Sequence, residues 1–160
     1  MKRFLGRAVV VLLALVVLVQ LVPYGRDHSN PSNRVEPRWD RPETRAVAKR
    51  ACFDCHSNET VWPWYSHVAP MSWLVQKDVS GGRAELNFSE WDRPQKEAHE
   101  AAEMVLKGKM PLRYYLPMHP EARLDDAERK ALADGLDATF AAGGPGGMGG
   151  KEGHEGEEVD

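Results

Sequence analysis

The sequence predicts an all-α fold, a small helical domain behind a hydrophobic N-terminal helix. Residues 43–50 and 94–107 have the composition and apolar spacing of helices, and Gly108 ends the second of them. A further helix is predicted to start at Asp125, where Glu128 three residues later completes a capping box. Apolar residues then recur at helical spacing, and we expect them to cover one face of a pocket. These residues are Ala127, Ala131, Leu132, Leu136 and Phe140.

The N-terminus has the pattern of a membrane-targeting segment. Lys2, Arg3 and Arg7 precede an apolar run over Ala8–Val22, which is short for a membrane span and extends to 19 residues when counted from Phe4. No small-residue cleavage site follows it. We therefore expect an uncleaved single-pass anchor, which in a bacterium places the rest of the chain on the periplasmic side of the inner membrane. The alternative is secretion to the periplasm after cleavage of a signal peptide.

Composition divides the chain further. The predicted units are a signal anchor or transmembrane helix over residues 1–23, a linker over 24–36, a helical domain over 37–142 and a disordered Gly-rich acidic tail over 143–160. The tail has too little apolar surface to offset the entropy lost on ordering. The formal net charge is −3, and the lysines and arginines are interspersed with acids. This pattern is not that of a nucleic-acid-binding surface.

The two cysteines of the chain lie in one motif. Cys52 and Cys55 have a two-residue gap, and His56 follows directly. This spacing lets two thiols reach the two vinyl groups on one edge of a porphyrin, and it puts an imidazole below the iron. The motif therefore predicts one covalent haem c, with Cys52 and Cys55 as attachment sites and His56 as the proximal iron ligand.

Three other interpretations of the cysteine pair are weaker. A thioredoxin-like redox pair requires a βαβ context, and none precedes the motif. A zinc site requires two further ligands at comparable spacing, but there is no second cysteine pair. A structural disulfide is compatible with an oxidising compartment, although it gives no role to His56.

Three blocks of sequence also resemble a known family. Residues 51–73, 86–91 and 110–124 match, in order, the bacterial haem-binding domain family related to cytochrome c, and the likeness covers roughly residues 37–140. The resemblance implies a single-haem module behind an N-terminal anchor, with a cytochrome c-like helical fold. It implies little about physiological role, because members are mostly described only as haem-binding.

Met110 is the predicted distal ligand of the iron. It follows a predicted helix end and precedes Pro111, which stiffens the loop. A Met-Pro pair between two helices is similar to the distal-ligand loop of small cytochromes c. The rivals are Met118, His119 and His67, and an open sixth position is the remaining alternative. Two residues are expected to pack in the helix or face solvent instead: Met104 and His99.

The segment between the motif and the second predicted helix is rich in aromatic residues. Trp64 and Tyr65 are the candidates for a hydrogen bond to a haem propionate, whereas the competing interpretation is that such residues wall a small core. Gly81 and Gly82 predict a turn.

The sequence favours a membrane-anchored periplasmic haem protein that transfers one electron through a haem ligated by His56 and Met110. The alternative is a haem-based sensor or gas-binding module whose sixth ligand is weak or absent. We expect an electron carrier or haem-binding module rather than an enzyme, because a peroxidase usually needs a second haem or a clear distal acid–base pair. The expected partners are haem, the inner membrane and redox proteins that the sequence does not identify.

Overall fold

The computed structural model describes residues 2–142, which fold into six α-helices. They are α1 (Lys2–Val19), α2 (Pro42–Ala51), α3 (Phe53–His56), α4 (Met71–Glu85), α5 (Ala101–Leu106) and α6 (Asp126–Ala141). Three 3-10 turns join them, at Trp64–His67, Ala98–Glu100 and Pro120–Ala122. Within residues 2–142 no strand forms, and extended pairing is limited to a bridge between Val35 and Glu90. The all-α prediction is confirmed, while the predicted tail over 143–160 lies outside the described residues.

Two helices begin where the sequence predicts. Pro42 occupies the first position of α2, where its missing N–H costs nothing. At the start of α6, the Asp125 carboxylate accepts a hydrogen bond from the Glu128 backbone N–H at 2.7 Å. The Glu128 carboxylate accepts one from the Asp125 N–H at 3.1 Å, so the capping box is confirmed.

The helix predicted over residues 94–107 is only partly correct. An α-helix forms over Ala101–Leu106 and is preceded by a 3-10 turn, whereas residues 94–97 are irregular. The buried side chain of Gln95 explains the difference. Its Oε1 accepts from the Asn87 N–H at 2.8 Å, and its Nε2 donates to the Glu90 carbonyl at 2.7 Å. These bonds to backbone outside the segment hold it in a turn and take the place of a helical ladder.

The turn predicted at Gly81 and Gly82 is wrong, because both glycines lie inside α4. A Cβ atom added at Gly82 would lie 2.4 Å from the Cys55 carbonyl oxygen. Gly82 therefore lets α4 approach α3 closely. A glycine pair in the sequence is compatible with either a close helix contact or a turn, so the sequence alone does not separate the two.

The helical spacing predicted for the buried face of α6 is correct, but two of the predicted residues are not buried. Ala127 and Ala131 are exposed. The buried face consists of Leu132, Ala133, Gly135, Leu136, Thr139 and Phe140. At Gly135 an added Cβ would lie 2.3 Å from Thr44 Oγ1, so the Thr44 side chain of α2 packs directly on the backbone of α6.

Aromatic rings form the centre of the core. The Phe88 ring stacks on Phe53 with a centroid distance of 5.5 Å and on Trp91 at 6.3 Å. Trp91 in turn stacks on Phe140 of α6 at 5.0 Å. This row joins the segment after α4 to both α3 and α6, and its rings are almost fully buried.

Helix α1 and the segment that follows it, residues 24–36, have different surroundings. The apolar side chains of α1 are exposed, but within residues 2–142 no helix is both long and apolar enough to cross a membrane. The segment expected to be a linker, residues 24–36, runs along the helical domain. Asn30 Nδ2 donates to the Thr60 carbonyl at 2.9 Å, and the Arg34 N–H donates to the Ser89 carbonyl at 2.9 Å.

Replacing Trp91 tests the aromatic row. The indole is 1% exposed, and its Nε1 has no hydrogen-bond partner among the described residues. Trp91→Ala should lower the free energy of unfolding by about 3–5 kcal/mol, because it leaves a cavity. Trp91→Phe should cost only about 1 kcal/mol, since it keeps a stacking ring and removes an unpaired buried N–H. Urea unfolding measures both. Equal losses in the two variants would mean that a stacked phenyl ring does not stabilise this position and that the full indole ring is needed.

Candidate functional site

A cavity of about 450 Å³ lies between α3, α4, α5 and the loop after α5. This volume is within the usual range of small-molecule and cofactor sites, roughly 300–1,000 Å³. Cys52, Cys55, His56 and Met110 all line it, together with Met104. The structure therefore brings together the cysteine pair, the adjacent histidine and the predicted distal methionine at one cavity.

The cysteine motif forms a single helical turn directly after α2. The Cys55 N–H donates to the Cys52 carbonyl at 3.1 Å, and the His56 N–H donates to the same carbonyl at 2.8 Å. Residues three and four positions apart in such a turn lie on the same side of a helix. Both thiols and the imidazole consequently share the cavity wall.

The His56 ring has a defined tautomer. Its Nδ1 is 3.0 Å from the Leu86 carbonyl oxygen, which can only accept a hydrogen bond, so Nδ1 carries the proton. Nε2 is left with its lone pair. Burial lowers the pKa of His56 below its ordinary value, although the backbone carbonyls of Leu86 and Gly82 offset part of this effect. At neutral pH the ring therefore offers a neutral nitrogen donor, oriented by the carbonyl behind it.

The two cysteines are free thiols. Burial raises the pKa of Cys52 to about 12 and, together with the nearby Asp78 and Asp54 carboxylates, raises the pKa of Cys55 to about 12. Both are therefore protonated and weakly nucleophilic at neutral pH, unlike the thiolate of a redox-active pair. Among residues 2–142 there is also no group of three or more His, Cys, Asp or Glu side chains placed to hold a metal ion.

Helix α4 supports the cysteine motif from behind. Gly82 packs on the Cys55 backbone, where an added Cβ would come within 2.4 Å of the carbonyl oxygen and 3.0 Å of the Cys55 Cβ. The C-terminal end of α4 then leads to Leu86, whose carbonyl holds the His56 ring. One helix end therefore sets the positions of both the thiol and the imidazole.

Met110 lies on the wall formed by the end of α5. Gly108 has a φ of +63°, which turns the chain away from the helix in a conformation that L side chains rarely adopt. The Met110 N–H then donates to the Met104 carbonyl at 3.2 Å. Met110 packs against the hydrophobic core as well as lining the cavity. Met104, expected to pack in the helix face, also lines the cavity and is half-buried.

Two tyrosines that the sequence analysis missed also line the cavity. The Tyr115 hydroxyl donates to Asp54 Oδ2 at 2.7 Å, and the Tyr114 hydroxyl donates to Asp78 at 3.0 Å. Burial and the Asp78 carboxylate raise the pKa of Tyr114 to about 12, and burial and Asp54 raise the pKa of Tyr115. Both hydroxyls therefore stay protonated donors at neutral pH. They hold the loop that follows Met110 against α3 and α4.

The predicted aromatic candidates lie elsewhere. Trp64 is 73% exposed, and neither Trp64 nor Tyr65 lines the large cavity. Tyr65 lines a smaller cleft that shares Asp54, Cys55 and Tyr115 with the large cavity, and its hydroxyl there is 2.7 Å from His119 Nε2. Tyr114 and Tyr115 are the tyrosines that line the large cavity, and a hydrogen bond from Trp64 or Tyr65 to a haem propionate stays a prediction.

The rival distal ligands are also away from the large cavity. His119 stacks on the Tyr115 ring at 3.9 Å, and its Nδ1 is 3.1 Å from Glu121 Oε1. Met118 and His67 are exposed, and His67 contacts the His28 ring edge-on at 4.3 Å. His99 is exposed beside Glu100, as expected.

Comparison with known proteins identifies the family of the chain. The haem-binding domain family matches residues 14–138, more than half of the chain. The chain belongs to this family. No curated protein and no solved structure matches it. The match makes this a haem-binding protein, and it begins inside α1, well before the first of the three resembling blocks.

The residues of this haem-binding domain fit a haem at the large cavity. Its walls are mostly apolar, and it offers a neutral imidazole with a free Nε2 and two thioether sulfurs, those of Met104 and Met110. These are the soft and borderline donors that haem iron accepts. Cys52 and Cys55 lie on the same wall as the imidazole.

The contact at Gly82 provides a test of how the site is positioned. Gly82→Ala should push α4 away from the Cys55 backbone and, through Leu86, displace the His56 ring. We expect a lower haem content per protein and a lower melting temperature, consistent with a cost of about 1–3 kcal/mol for overpacking. Absorbance at the Soret band relative to protein concentration measures the haem content.

Ala84→Ser is the matched control for Gly82→Ala. It also adds one heavy atom to α4, but on an exposed position two residues further along. The control should keep the wild-type haem content and melting temperature. Wild-type values in Gly82→Ala would show that the close approach of α4 is not needed for the site.

Proposed function

We propose that this haem-binding protein is a membrane-anchored periplasmic c-type cytochrome that transfers one electron through a haem held by His56 and Met110. The observation that carries the proposal is that Cys52, Cys55, His56 and Met110 line the same cavity, although Met110 is far from the motif in sequence. When bound, the haem iron supplies the one-electron couple.

Covalent attachment is supported by the cysteine pair. Cys52 and Cys55 are free, share one wall of the cavity and are one helical turn apart. They would hold the haem by thioether bonds to its two vinyl groups. The neutral imidazole of His56 is adjacent, and the Leu86 carbonyl keeps its Nε2 unprotonated for the iron.

Ligation by Met110 is supported by the contacts that restrain its loop. The loop is held at one end by the Gly108 turn and further along by the Tyr114–Asp78 and Tyr115–Asp54 hydrogen bonds. A ligand on a restrained loop changes position little between oxidation states, which keeps reorganisation on electron transfer small. A thioether ligand also raises the reduction potential relative to a second histidine.

Anchoring is supported by the N-terminal segment. Helix α1 rises about 27 Å along its axis, close to the thickness of a bilayer core of about 30 Å. The apolar stretch continues past its end through Leu21 and Val22, and all of these side chains are exposed. Lys2, Arg3 and Arg7 lie at one end, from which their side chains can reach lipid headgroups. This charge pattern favours a cytoplasmic N-terminus and a periplasmic domain.

The charge around the cavity suggests the kind of redox partner. Glu85, Glu97 and Glu100 line the cavity, with Lys77 as the one lysine among the lining residues. A negative rim attracts a positively charged protein surface during diffusional encounter. The proposed electron donor or acceptor is therefore a protein with a basic patch beside its own redox centre.

Covalent attachment can be tested with the cysteines. After expression with c-type maturation, haem should stay with the wild-type protein through acid–acetone extraction and give a pyridine haemochrome spectrum of haem c. Cys52→Ala and Cys55→Ala should each retain haem through one thioether bond, with a red-shifted haemochrome band. The double variant should release its haem. Complete extraction of haem from the wild type would rule out a c-type protein and leave a non-covalent haem site.

Met110 ligation can be tested by spectroscopy of methionine variants. The ferric wild type should show the methionine-to-iron charge-transfer band, and Met110→Ala should abolish it and allow carbon monoxide to bind rapidly to the reduced protein. Met118→Ala is the control, because Met118 is exposed and does not line the cavity. Met104→Ala tests whether the other methionine of the cavity wall is the iron ligand. Loss of the band in Met104→Ala but not in Met110→Ala would assign the sixth position to Met104, and rapid carbon monoxide binding by the wild type would favour a gas-binding module.

A further inference from the structure

An apolar patch is exposed on the helical domain next to the end of α1. Its exposed apolar side chains are Val61, Trp64, Val68 and Met71, which are 73%, 73%, 46% and 43% exposed. Single exposed apolar residues are normal on a protein surface, but several within one short segment indicate a contact surface. We call residues 61–71 the interfacial patch.

The side chain of Gln20 joins this patch to the N-terminal helix. Its Nε2 donates to the Ala69 carbonyl at 2.9 Å, and its Oε1 accepts from the Ala69 N–H at 3.0 Å. Ala69 lies between Val68 and Met71 in the patch. The end of the apolar N-terminal stretch is therefore hydrogen-bonded to both the N–H and the carbonyl of one residue in the patch, Ala69.

A second contact fixes the chain a few residues further on. Gly25 is buried with a φ of +77°, and an added Cβ would lie 2.5 Å from the Ser72 carbonyl oxygen. Ser72 is in the first turn of α4, directly after Met71. Two contacts on either side of Pro23 hold the patch beside the point where the N-terminal stretch ends, so the helical domain does not swing freely on a tether.

We propose that the interfacial patch rests on the surface of the phospholipid bilayer that holds α1, with Trp64 among the headgroups. The inference depends on the proposed anchor and extends it from the helix to the domain. When Leu21 and Val22 lie at the edge of the hydrocarbon core, Val68 and Met71 are held beside the headgroup layer, which is roughly 5–7 Å thick per leaflet. Burying them there removes apolar surface from water.

The aromatic residues of this region agree with a lipid surface. Tyr24 comes two residues after the apolar stretch and is 50% exposed, and Trp64 is the most exposed aromatic residue of the patch. Tyrosine and tryptophan are enriched at the two membrane–water interfaces, because their rings are apolar and their N–H or O–H groups are polar. Arg26, two residues after Tyr24, is also exposed and can pair with a lipid phosphate.

Photo-cross-linking of the full chain tests the inference. The holoprotein is reconstituted in nanodiscs that contain phosphatidylglycerol, phosphatidylcholine and a phospholipid with a diazirine near the acyl carbonyl. Mass spectrometry then maps the lipid adducts after irradiation. We expect adducts on residues 2–22 and on residues 61–71, and none on α6, which packs against α2 and α5.

The outcomes separate the patch from the anchor. Adducts confined to residues 2–22 would overturn the patch and leave the anchor intact, and would make a protein partner the alternative occupant. Absence of adducts on residues 2–22 would overturn the anchor and the patch with it. Neither outcome depends on haem attachment or on the identity of the iron ligands.

A charged substitution makes the test more specific. Val68→Glu should reduce adducts on residues 61–71 at least several-fold and leave those on residues 2–22 unchanged. Val35→Glu is the matched control, because Val35 is a similarly exposed apolar residue outside the patch. Unchanged adducts on residues 61–71 in Val68→Glu, or an equal loss in Val35→Glu, would overturn the assignment of this surface.

Discussion

The close packing of α4 on the backbone of Cys55 is the constraint on which the rest of the site depends. It requires a residue without a side chain at position 82, because any Cβ would overlap the Cys55 carbonyl. The same helix end presents the Leu86 carbonyl to His56, so the separation of α3 and α4 sets the direction of the imidazole. The row of Phe53, Phe88 and Trp91 then connects this contact to α6 and the core.

The opposite wall is held by polar contacts of the loop after α5. Asp54, between the two cysteines, accepts from Tyr115, and Asp78 of α4 accepts from Tyr114. Each carboxylate therefore links the cysteine side of the cavity to the methionine side. A half-buried carboxylate paired with a phenol avoids the cost of an unsatisfied charge, and here it also ties the loop after α5 to α3 and α4. The wall that carries Met104 and Met110 is thus positioned by tyrosines and aspartates, which are not themselves candidate iron ligands.

Local signals in the sequence were sufficient for part of this structure. The start of the helix predicted over residues 43–50 and the Asp125 and Glu128 capping box depend on neighbouring residues only, and both are found where predicted. The features that were missed depend on distant partners. Gly82 has the local pattern of a turn, and its role comes from Cys55 in another helix.

The same reason explains the other differences. Gln95 breaks a helix through bonds to the backbone of residues 87 and 90. Tyr114 and Tyr115 find aspartates 36 and 61 residues away in sequence, whereas the more conspicuous Trp64 faces solvent. Aromatic density does not show which residues line a cavity, because it reports how much apolar surface a segment has and not what that surface contacts.

Helix α4 also acts as a spacer of fixed length. It starts at Met71 in the interfacial patch and reaches the cysteine motif at Gly82. At about 1.5 Å per residue, these two points are about 16 Å apart along the helix axis. With Met71 at the lipid surface, the cofactor's distance from that surface is bounded by the rigid helix and does not vary with the extension of a flexible tether. Electron exchange would then be confined to a narrow layer above the membrane, accessible to partners that are themselves bound to the same bilayer or that diffuse along it.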